Sequence, residues 1–96
     1  MKMAKPKIIW SLSAKQDIER LYHFLHTNNP RRAAYIRTEL IKAPRILQEH
    51  PRIGQKIEQI VMNDVRRLIV EEYEIRYEVT PDRIHILRIW HGREDR

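Results

Sequence analysis

Cysteine is absent from the 96-residue sequence, and glycine occurs only twice. Without cysteine the chain has no disulfide scaffold, no thiolate zinc site and no cysteine nucleophile. Two glycines exclude collagen-like and low-complexity architectures. No apolar run approaches the roughly 18 residues needed to cross a bilayer, and the basic start at residues 1–10 lacks the apolar stretch of a secretory signal. These absences leave a cytoplasmic globular protein without membrane association as the expectation.

The length of the chain limits the number of domains, and the charge distribution indicates the kinds of partner. Ninety-six residues suffice for a single domain, which we place at residues 1–96. Lys and Arg number 19 and Asp and Glu 13, a net charge of +6. Residues 1–62 hold 12 basic and 5 acidic residues, whereas residues 63–96 hold 7 and 8, so the first part carries a net +7 and the second −1. The basic part favours an acidic protein, a phosphate backbone or an anionic surface as partner, and charge alone does not choose among them.

The first half of the sequence predicts a strand followed by two helices. Lys7–Trp10 is a short β-type run, and Ser13 with Gln16 three residues later forms a capping box for a first helix. Asp17 is assigned to the polar face of this helix, because the apolar stripe has helical spacing and comprises Ala14, Ile18, Leu21, Tyr22 and Leu25. A second helix follows, and Pro44 inside its pattern predicts a kink or a split. The short connection between the helices predicts an antiparallel hairpin.

In the second half, the apolar period changes to that of strands. Val65–Val70 and the alternating run Tyr73–Val79 predict two strands, and Ile84–Trp90, apolar on both faces, predicts a third in the centre of the sheet. Residues 55–63 fit no element. The order β-α-α-β-β-β therefore predicts an α+β fold, with an N-terminal strand and an antiparallel helix hairpin packed on an antiparallel β-sheet meander.

The histidines and serines do not suggest a metal site or a nucleophile. His23 and His26 are three residues apart on the first helix, but no suitably placed carboxylate completes a ligand set. His85 and His91 are expected to share a strand face at a separation of roughly 20 Å, too far apart for one ion. We therefore expect no metal and no cofactor. The two serines lie where a helix cap is needed, and no nucleophile elbow is present.

Metal-free acid–base chemistry on a phosphodiester remains open, because it needs only an acid, a base and arginines. The candidates lie in the predicted sheet and tail and comprise Arg66, Arg67, Arg76, Arg88, His91, Arg93 and Glu94. Alternatively, Arg76 pairs with a cross-strand carboxylate such as Glu74 or Glu78 on a solvated face. Trp10 and Trp90 could stack on bases, although packing is the more common role for such residues. The net −1 of this half argues against a nuclease.

A series of short motifs in a specific order covers most of the chain. The motifs are Ile9-Trp10-Ser11 with Ala14-x-x-Asp17-Ile18, Asn29-Pro30-x-x-Ala33, Pro51-x-Ile53-Gly54, Arg67-Leu68, Tyr73-x-Ile75-x-Tyr77-x-Val79, and Ile86-Leu87-Arg88-Ile89-Trp90-His91-Gly92-Arg93. With this order and spacing, residues 8–95 resemble the ParE/RelE superfamily of toxins from bacterial type II toxin–antitoxin modules. The resemblance implies a helix hairpin on an antiparallel sheet, in agreement with the periodicity.

The superfamily has two branches with different targets. The ParE-like branch poisons DNA gyrase without being a nuclease, and the Ile-x-Tyr-x-Val strand with its His-Gly-Arg tail resembles that branch. Glu74 stands where the ribonuclease branch tends to carry a basic residue. The resemblance thus implies a growth-inhibiting, plasmid-stabilising toxin that inhibits gyrase and is not an enzyme. Its target-binding residues are expected to be Arg88, Trp90, His91 and Arg93.

The alternative is a RelE-like endoribonuclease that cleaves mRNA on the ribosome. In that case His91 would be the general acid or base, with Arg76 and Arg88 steadying the phosphate.

Both branches also imply a cognate antitoxin in a hetero-oligomeric complex. We expect the antitoxin to use an unpaired strand edge and a groove formed with the helix hairpin. Its acidic residues would meet Arg31, Arg32 and Arg37 on the second helix.

Overall fold

A computed structural model describes residues 4–94, so the ends of the predicted domain, 1–3 and 95–96, lie outside the described residues. The elements in chain order are β1 (Lys7–Trp10), α1 (Leu12–His26), α2 (Pro30–Lys42), a 3-10 helix (Ala43–Gln48), β2 (Gln55–Lys56), β3 (Asp64–Val70), β4 (Tyr73–Val79) and β5 (Arg83–His91). This order confirms the predicted α+β fold. The added feature is β2, a short strand at the start of the segment that the sequence left unplaced.

The strands form one sheet in the order β1-β5-β4-β3-β2. Neighbouring strands from β2 to β5 pair antiparallel, which confirms the predicted meander. β1 pairs with the first part of β5 in parallel, an orientation that the sequence did not indicate. Strand β5 lies between β1 and β4, in the interior of the sheet, as its apolar faces predicted.

The ends of the helices reflect their sequences, with one correction. The N-cap of α1 is Ser11 and not Ser13, because the helix begins at Leu12 and the Ser11 hydroxyl accepts a hydrogen bond from the Ala14 N–H at 2.9 Å. The same hydroxyl donates to the Leu87 carbonyl of β5 at 2.8 Å, so this position ties the helix start to the sheet. Pro44 splits the second helix as predicted, with α2 ending at Lys42 and the 3-10 helix following.

The two helices cover one face of the sheet and enclose the hydrophobic core. The fully buried side chains include Ile36, Leu40, Leu47, Ile75, Tyr77, Ile84, Ile86 and Ile89. Among the described residues, the buried charged side chains are Asp17 and Glu74, each 3% exposed. The assignment of Asp17 to a solvated helix face is therefore wrong. No helix in residues 4–94 combines the length and apolar character needed to cross a membrane.

An extra residue in β5 changes which side chains share a face. Tyr77 of β4 pairs with Ile86, but the preceding Arg76 pairs with Arg88, so Leu87 is a bulge. Side chains of β5 that follow the bulge are shifted by one position relative to strict alternation. His85 consequently lies on the face away from the helices, whereas His91 pairs with Tyr73 on the helix side. The expectation that His85 and His91 share a face is wrong for this reason.

Candidate functional site

The bulge brings two predicted site arginines to the same tryptophan. Arg76 of β4 lies opposite Arg88 of β5 on the sheet face away from the helices, which we call the open face. The guanidinium carbon of Arg76 is 4.7 Å from the centroid of the Trp90 ring, and that of Arg88 is 5.3 Å away. Both distances are within the range of cation–π attraction. Arg76, Trp90 and Arg88 therefore form one cluster at the end of the sheet where β5 finishes.

A buried carboxylate lies directly beside this cluster. Glu74 accepts a hydrogen bond from Arg76 Nη2 at 3.0 Å, and its other oxygen is 3.7 Å from Arg67 Nη1. This pair confirms that Arg76 binds Glu74. The expected cross-strand geometry and solvated face are wrong, since both residues belong to β4 and Glu74 is buried. The Nε atoms of Arg67 and Arg76 are buried without a hydrogen-bond partner among the described residues. Two arginines of the open face are thus held around one negative charge.

A second buried carboxylate holds the third arginine. Asp17 of α1 accepts hydrogen bonds from Arg88 Nε at 2.8 Å and Arg88 Nη2 at 3.1 Å. It also accepts from the Ile89 N–H at 2.8 Å and from Arg20 Nη2 at 3.3 Å. Burial acts to raise the pKa of Asp17, but the hydrogen bonds from Arg88 and Ile89 outweigh it and leave the pKa lowered. The same contact raises the pKa of Arg88. Asp17 is therefore ionised and fixes the Arg88 head group.

Four side chains replace a neighbouring strand along the last part of β5. β1 ends its pairing with β5 at Ile86, where the Ser11 N–H donates to the Ile86 carbonyl at 3.0 Å. Beyond that point, Asp17 binds the Ile89 N–H, Arg20 Nη2 donates to the Ile89 carbonyl at 3.3 Å, and Glu94 accepts from the His91 N–H at 3.1 Å. With the Ser11 hydroxyl on Leu87, these side chains form what we call the edge network: Ser11, Asp17, Arg20 and Glu94. It satisfies an edge that would otherwise be open to another chain.

The tail after β5 is attached to α1 by the same network. Arg20 forms an ion pair with Glu94, and Glu94 bonds back to the start of the tail. The ring of His91 stands edge-on to Tyr73, with centroids 5.1 Å apart. Its Nε2 lies 3.2 Å from a Glu72 carboxylate oxygen.

The structure divides the predicted site residues between two surfaces. Arg76, Arg88 and Trp90 meet on the open face, and His91 lies on the opposite side of the sheet. The three residues assigned to the alternative ribonuclease site do not converge on one point. Of the four residues assigned to target binding, Arg88 and Trp90 lie on the open face, His91 lies on the helix side, and Arg93 is exposed in the tail.

The arginines assigned to antitoxin binding differ in their surroundings. Arg32 Nη2 lies 3.3 Å from Glu71 and 3.5 Å from Glu72, and Arg37 Nη2 lies 2.6 Å from Glu19. Arg31, also on α2, is exposed and has no partner in the part of the chain that the structure describes. Two of the three charges are therefore balanced within the molecule.

Asp17 is the residue that sequence reasoning missed. It lies three residues after Ala14 and four before Leu21, both of which belong to the apolar stripe. This spacing was the available signal, because a carboxylate within a buried stripe must find a partner. With respect to metals, residues 4–94 contain no group of three or more His, Asp or Glu side chains placed to hold an ion.

Comparisons with known proteins agree with this architecture. A family model described as the ParE toxin of the type II toxin–antitoxin system, parDE, matches residues 8–96. Toxin RelE1 of Caulobacter vibrioides is 33% identical over 89 residues, which cover 93% of this chain and 96% of that protein.

Solved structures show the same fold. A chromosomal ParDE toxin–antitoxin structure from P. aeruginosa superposes with a TM-score of 0.73 at 23% identity, covering 91% of this chain and 96% of that one. The toxin–antitoxin complex RelBE2 from Mycobacterium tuberculosis gives a TM-score of 0.62 at 18% identity, with 94% of each chain covered.

The fold and the matched sequence define a toxin of a type II toxin–antitoxin system. The chain belongs to the ParE toxin family, within the ParE/RelE superfamily that its motifs resemble. An antitoxin partner follows from membership in such a system.

Proposed function

We propose that this toxin inhibits DNA gyrase by binding it through the end of β5 and the tail, with Arg88, Trp90, His91 and Arg93 as contacts. One observation carries the preference for a binding toxin over a nuclease. The arginines that a nuclease would use are already paired with buried carboxylates: Arg67 and Arg76 with Glu74, and Arg88 with Asp17. A guanidinium in such a pair is a weak stabiliser of a developing phosphorane, because the carboxylate beside it repels the same negative charge.

Membership in the ParE toxin family supports the same choice of target, since the ParE-like branch is the one that poisons gyrase. The contact chemistry is suited to a protein surface. Trp90 supplies a flat aromatic group flanked by the guanidinium groups of Arg76 and Arg88, and tryptophan and arginine are enriched where binding energy is concentrated.

A gyrase supercoiling reaction with purified toxin tests the proposal. We expect loss of supercoiling, relief by the cognate antitoxin, and roughly tenfold weaker inhibition by Arg93→Ala. The matched control is Arg45→Ala, which removes another exposed arginine, on the 3-10 helix and far along the chain from the tail. Unchanged supercoiling in the presence of a folded wild-type toxin would reject gyrase as the target.

The position of a C-terminal truncation determines whether buried contacts are lost together with the tail. Ending the chain after Arg88 would remove Ile89, which is fully buried, together with the N–H that Asp17 binds. Ending it after His91 retains both of these interactions but removes Glu94 and its ion pair with Arg20. Thermal unfolding of this shorter deletion must therefore accompany the assay.

A second candidate is ribosome-dependent cleavage of mRNA, favoured by the cluster of Arg76, Arg88 and Trp90 on the open face. A base could stack on the indole there while a phosphate lies beside the guanidinium groups. Because His91 lies on the opposite side of the sheet from this cluster, the matching variant is Trp90→Ala, which should abolish cleavage if its fold is intact. The gyrase hypothesis instead expects no RNA cleavage by either form.

A further inference from the structure

A cleft of about 590 Å³ lies between the second half of α1 and the end of β5. Its apolar wall consists of Leu21, Phe24 and Tyr73, and its polar side includes Arg20, His91 and Arg93. Two members of the edge network, Arg20 and Glu94, also line this polar side, where Glu94 binds both Arg20 and the His91 N–H. The cleft is therefore built from α1 and the tail together.

Phe24 is largely exposed to solvent although it forms part of the apolar wall of the cleft. It is 75% exposed, whereas Leu21 and Tyr73 behind it are each 3% exposed. It is also the single phenylalanine of the sequence. The apolar surface of an aromatic ring at the mouth of a cleft remains in contact with water until another molecule covers it. Such a ring beside a cleft is typical of a binding site.

The charges around the cleft indicate what would cover it. Arg20 is already engaged by Asp17 and Glu94. The guanidinium of Arg93 is exposed at the rim and has no partner within residues 4–94. One apolar wall beside one unbalanced cation is complementary to an apolar side chain with a carboxylate next to it.

We propose that this cleft, which we call the tail cleft, receives a segment of the toxin's target protein that presents an apolar side chain next to Asp or Glu. The apolar group packs on Phe24 and Tyr73, and the carboxylate pairs with Arg93. The proposal rests on the proposed function, because it extends the target surface from the tail to α1. The cleft adjoins the tail residues His91 and Arg93, which are proposed above as target contacts, so we assign it to the target. Since α1 also belongs to the helix hairpin that is expected to bind the antitoxin, antitoxin in the cleft is the competing outcome of the test.

The test compares Phe24→Ala with Leu12→Ala in the same helix. Leu12 is 71% exposed and does not line the tail cleft, so both variants remove a solvent-exposed apolar side chain. In cells expressing the toxin without antitoxin, Phe24→Ala should relieve growth inhibition and Leu12→Ala should not. In the supercoiling reaction, Phe24→Ala should raise the concentration for half-inhibition roughly tenfold. Affinity for the antitoxin should remain within about twofold for both variants, and thermal unfolding verifies that both are folded.

The chemistry of the occupant is tested separately. Phe24→Leu and Arg93→Lys retain the apolar wall and the charge and should preserve most of the inhibition, whereas Arg93→Glu should abolish it.

The two proposals can fail independently. A Phe24→Ala toxin that inhibits growth as well as the wild type, or that loses antitoxin affinity by the same factor as toxicity, would overturn the assignment of the cleft. If Phe24→Ala relieves growth inhibition but the wild-type toxin leaves gyrase unaffected, the cleft assignment stands and gyrase is not its ligand.

Discussion

Asp17 connects three parts of the molecule through one side chain. It binds the backbone of β5 at Ile89, the guanidinium of Arg88 on the strand, and Arg20 one turn along its own helix. A carboxylate with 3% exposure is unfavourable unless such partners are present. Asp17 therefore acts as a structural residue whose position also determines where Arg88 lies.

Replacing this carboxylate by an amide should lower stability measurably. Asp17→Asn removes the charge while retaining the shape, so the ion pair with Arg88 is lost and one hydrogen-bonding oxygen becomes a donor. We expect a decrease of about 2 kcal/mol in the free energy of unfolding, as for hydrogen bonds to charged groups. Urea denaturation measures it, with Glu19→Gln as the control on the exposed side of the helix. The free energy of unfolding of the control should lie within about 0.5 kcal/mol of the wild-type value. If Asp17→Asn is as stable as this control, the structural role of Asp17 is refuted.

The contribution of Asp17 to the stability of the fold depends on pH in a defined direction. The pKa of Asp17 is lowered in the folded state, so its contribution to stability is present above the pKa of the unfolded chain, about 3.9. It is lost as the pH falls through the lower folded value. The stability difference between wild type and Asp17→Asn should therefore be constant near neutral pH and shrink below about pH 4. A difference that grows on acidification would contradict this assignment.

The sequence was sufficient for the positions of β1, the two helices and the meander of β3 to β5, but not for β2 or for the burial of Asp17 and Glu74. Apolar spacing placed β1, α1, α2 and the meander, because burial of one face follows directly from periodicity. The same reasoning failed at Asp17 and Glu74, because polar side chains were predicted to face solvent although each of these carboxylates is buried beside arginines. Their burial depends on arginines brought to them from other positions by the fold. The bulge at Leu87 was also missed, because the run Ile84–Trp90, apolar on both faces, was interpreted as a central strand and not as a change of the buried face after Ile86.

At the scale of elements, the loop before β2 is anchored by a buried phenol. Tyr77 of β4 donates a hydrogen bond to the Pro51 carbonyl at 2.8 Å and accepts one from the Gly54 N–H at 3.0 Å. Burial raises the pKa of Tyr77, so the phenol remains protonated and able to donate. An added Cβ at Gly54 would lie 2.5 Å from the Arg67 carbonyl oxygen and 2.6 Å from the Tyr77 hydroxyl. The glycine is needed for this close approach.

Gly54→Ala should therefore be more damaging than the same change at the other glycine. An alanine there must displace backbone of β3 or break the Tyr77 contacts, at a cost of about 2 kcal/mol or more. At Gly92 an added Cβ meets only the Glu72 carbonyl, at 3.2 Å, and a smaller loss is expected. Thermal unfolding of the two variants provides the comparison. Equal loss at both positions would show that the packing around Gly54 is looser than described.

At the scale of the whole molecule, the net charge of +6 overstates what is available to a partner. On α2, Arg32 is paired with Glu71 and Glu72 and Arg37 with Glu19, while Arg31 is exposed. A partner with acidic residues gains most from the charge that is not already balanced.

We therefore expect unequal effects of these arginines on antitoxin binding. Arg31→Ala should weaken affinity by roughly two- to fivefold and reduce its salt dependence. Arg37→Ala removes a charge that Glu19 already balances and should have a smaller effect. Titrations at two ionic strengths measure both quantities. A larger effect of Arg37→Ala would indicate that its pair with Glu19 opens when the antitoxin binds.

The position of β5 in the sheet has a consequence for how the toxin is synthesised. This strand is the last in the chain, yet it lies between β1 and β4 and holds the first strand in place. During translation, β1 and both helices leave the ribosome while their central neighbour has not been made, and Asp17 still lacks its partners from residues 88 and 89. The sheet closes only after the final strand has emerged. A nascent toxin therefore lacks both its complete sheet and its tail until residues 83–94 have emerged, which gives an antitoxin already present in the cell the opportunity to bind as the tail first becomes accessible.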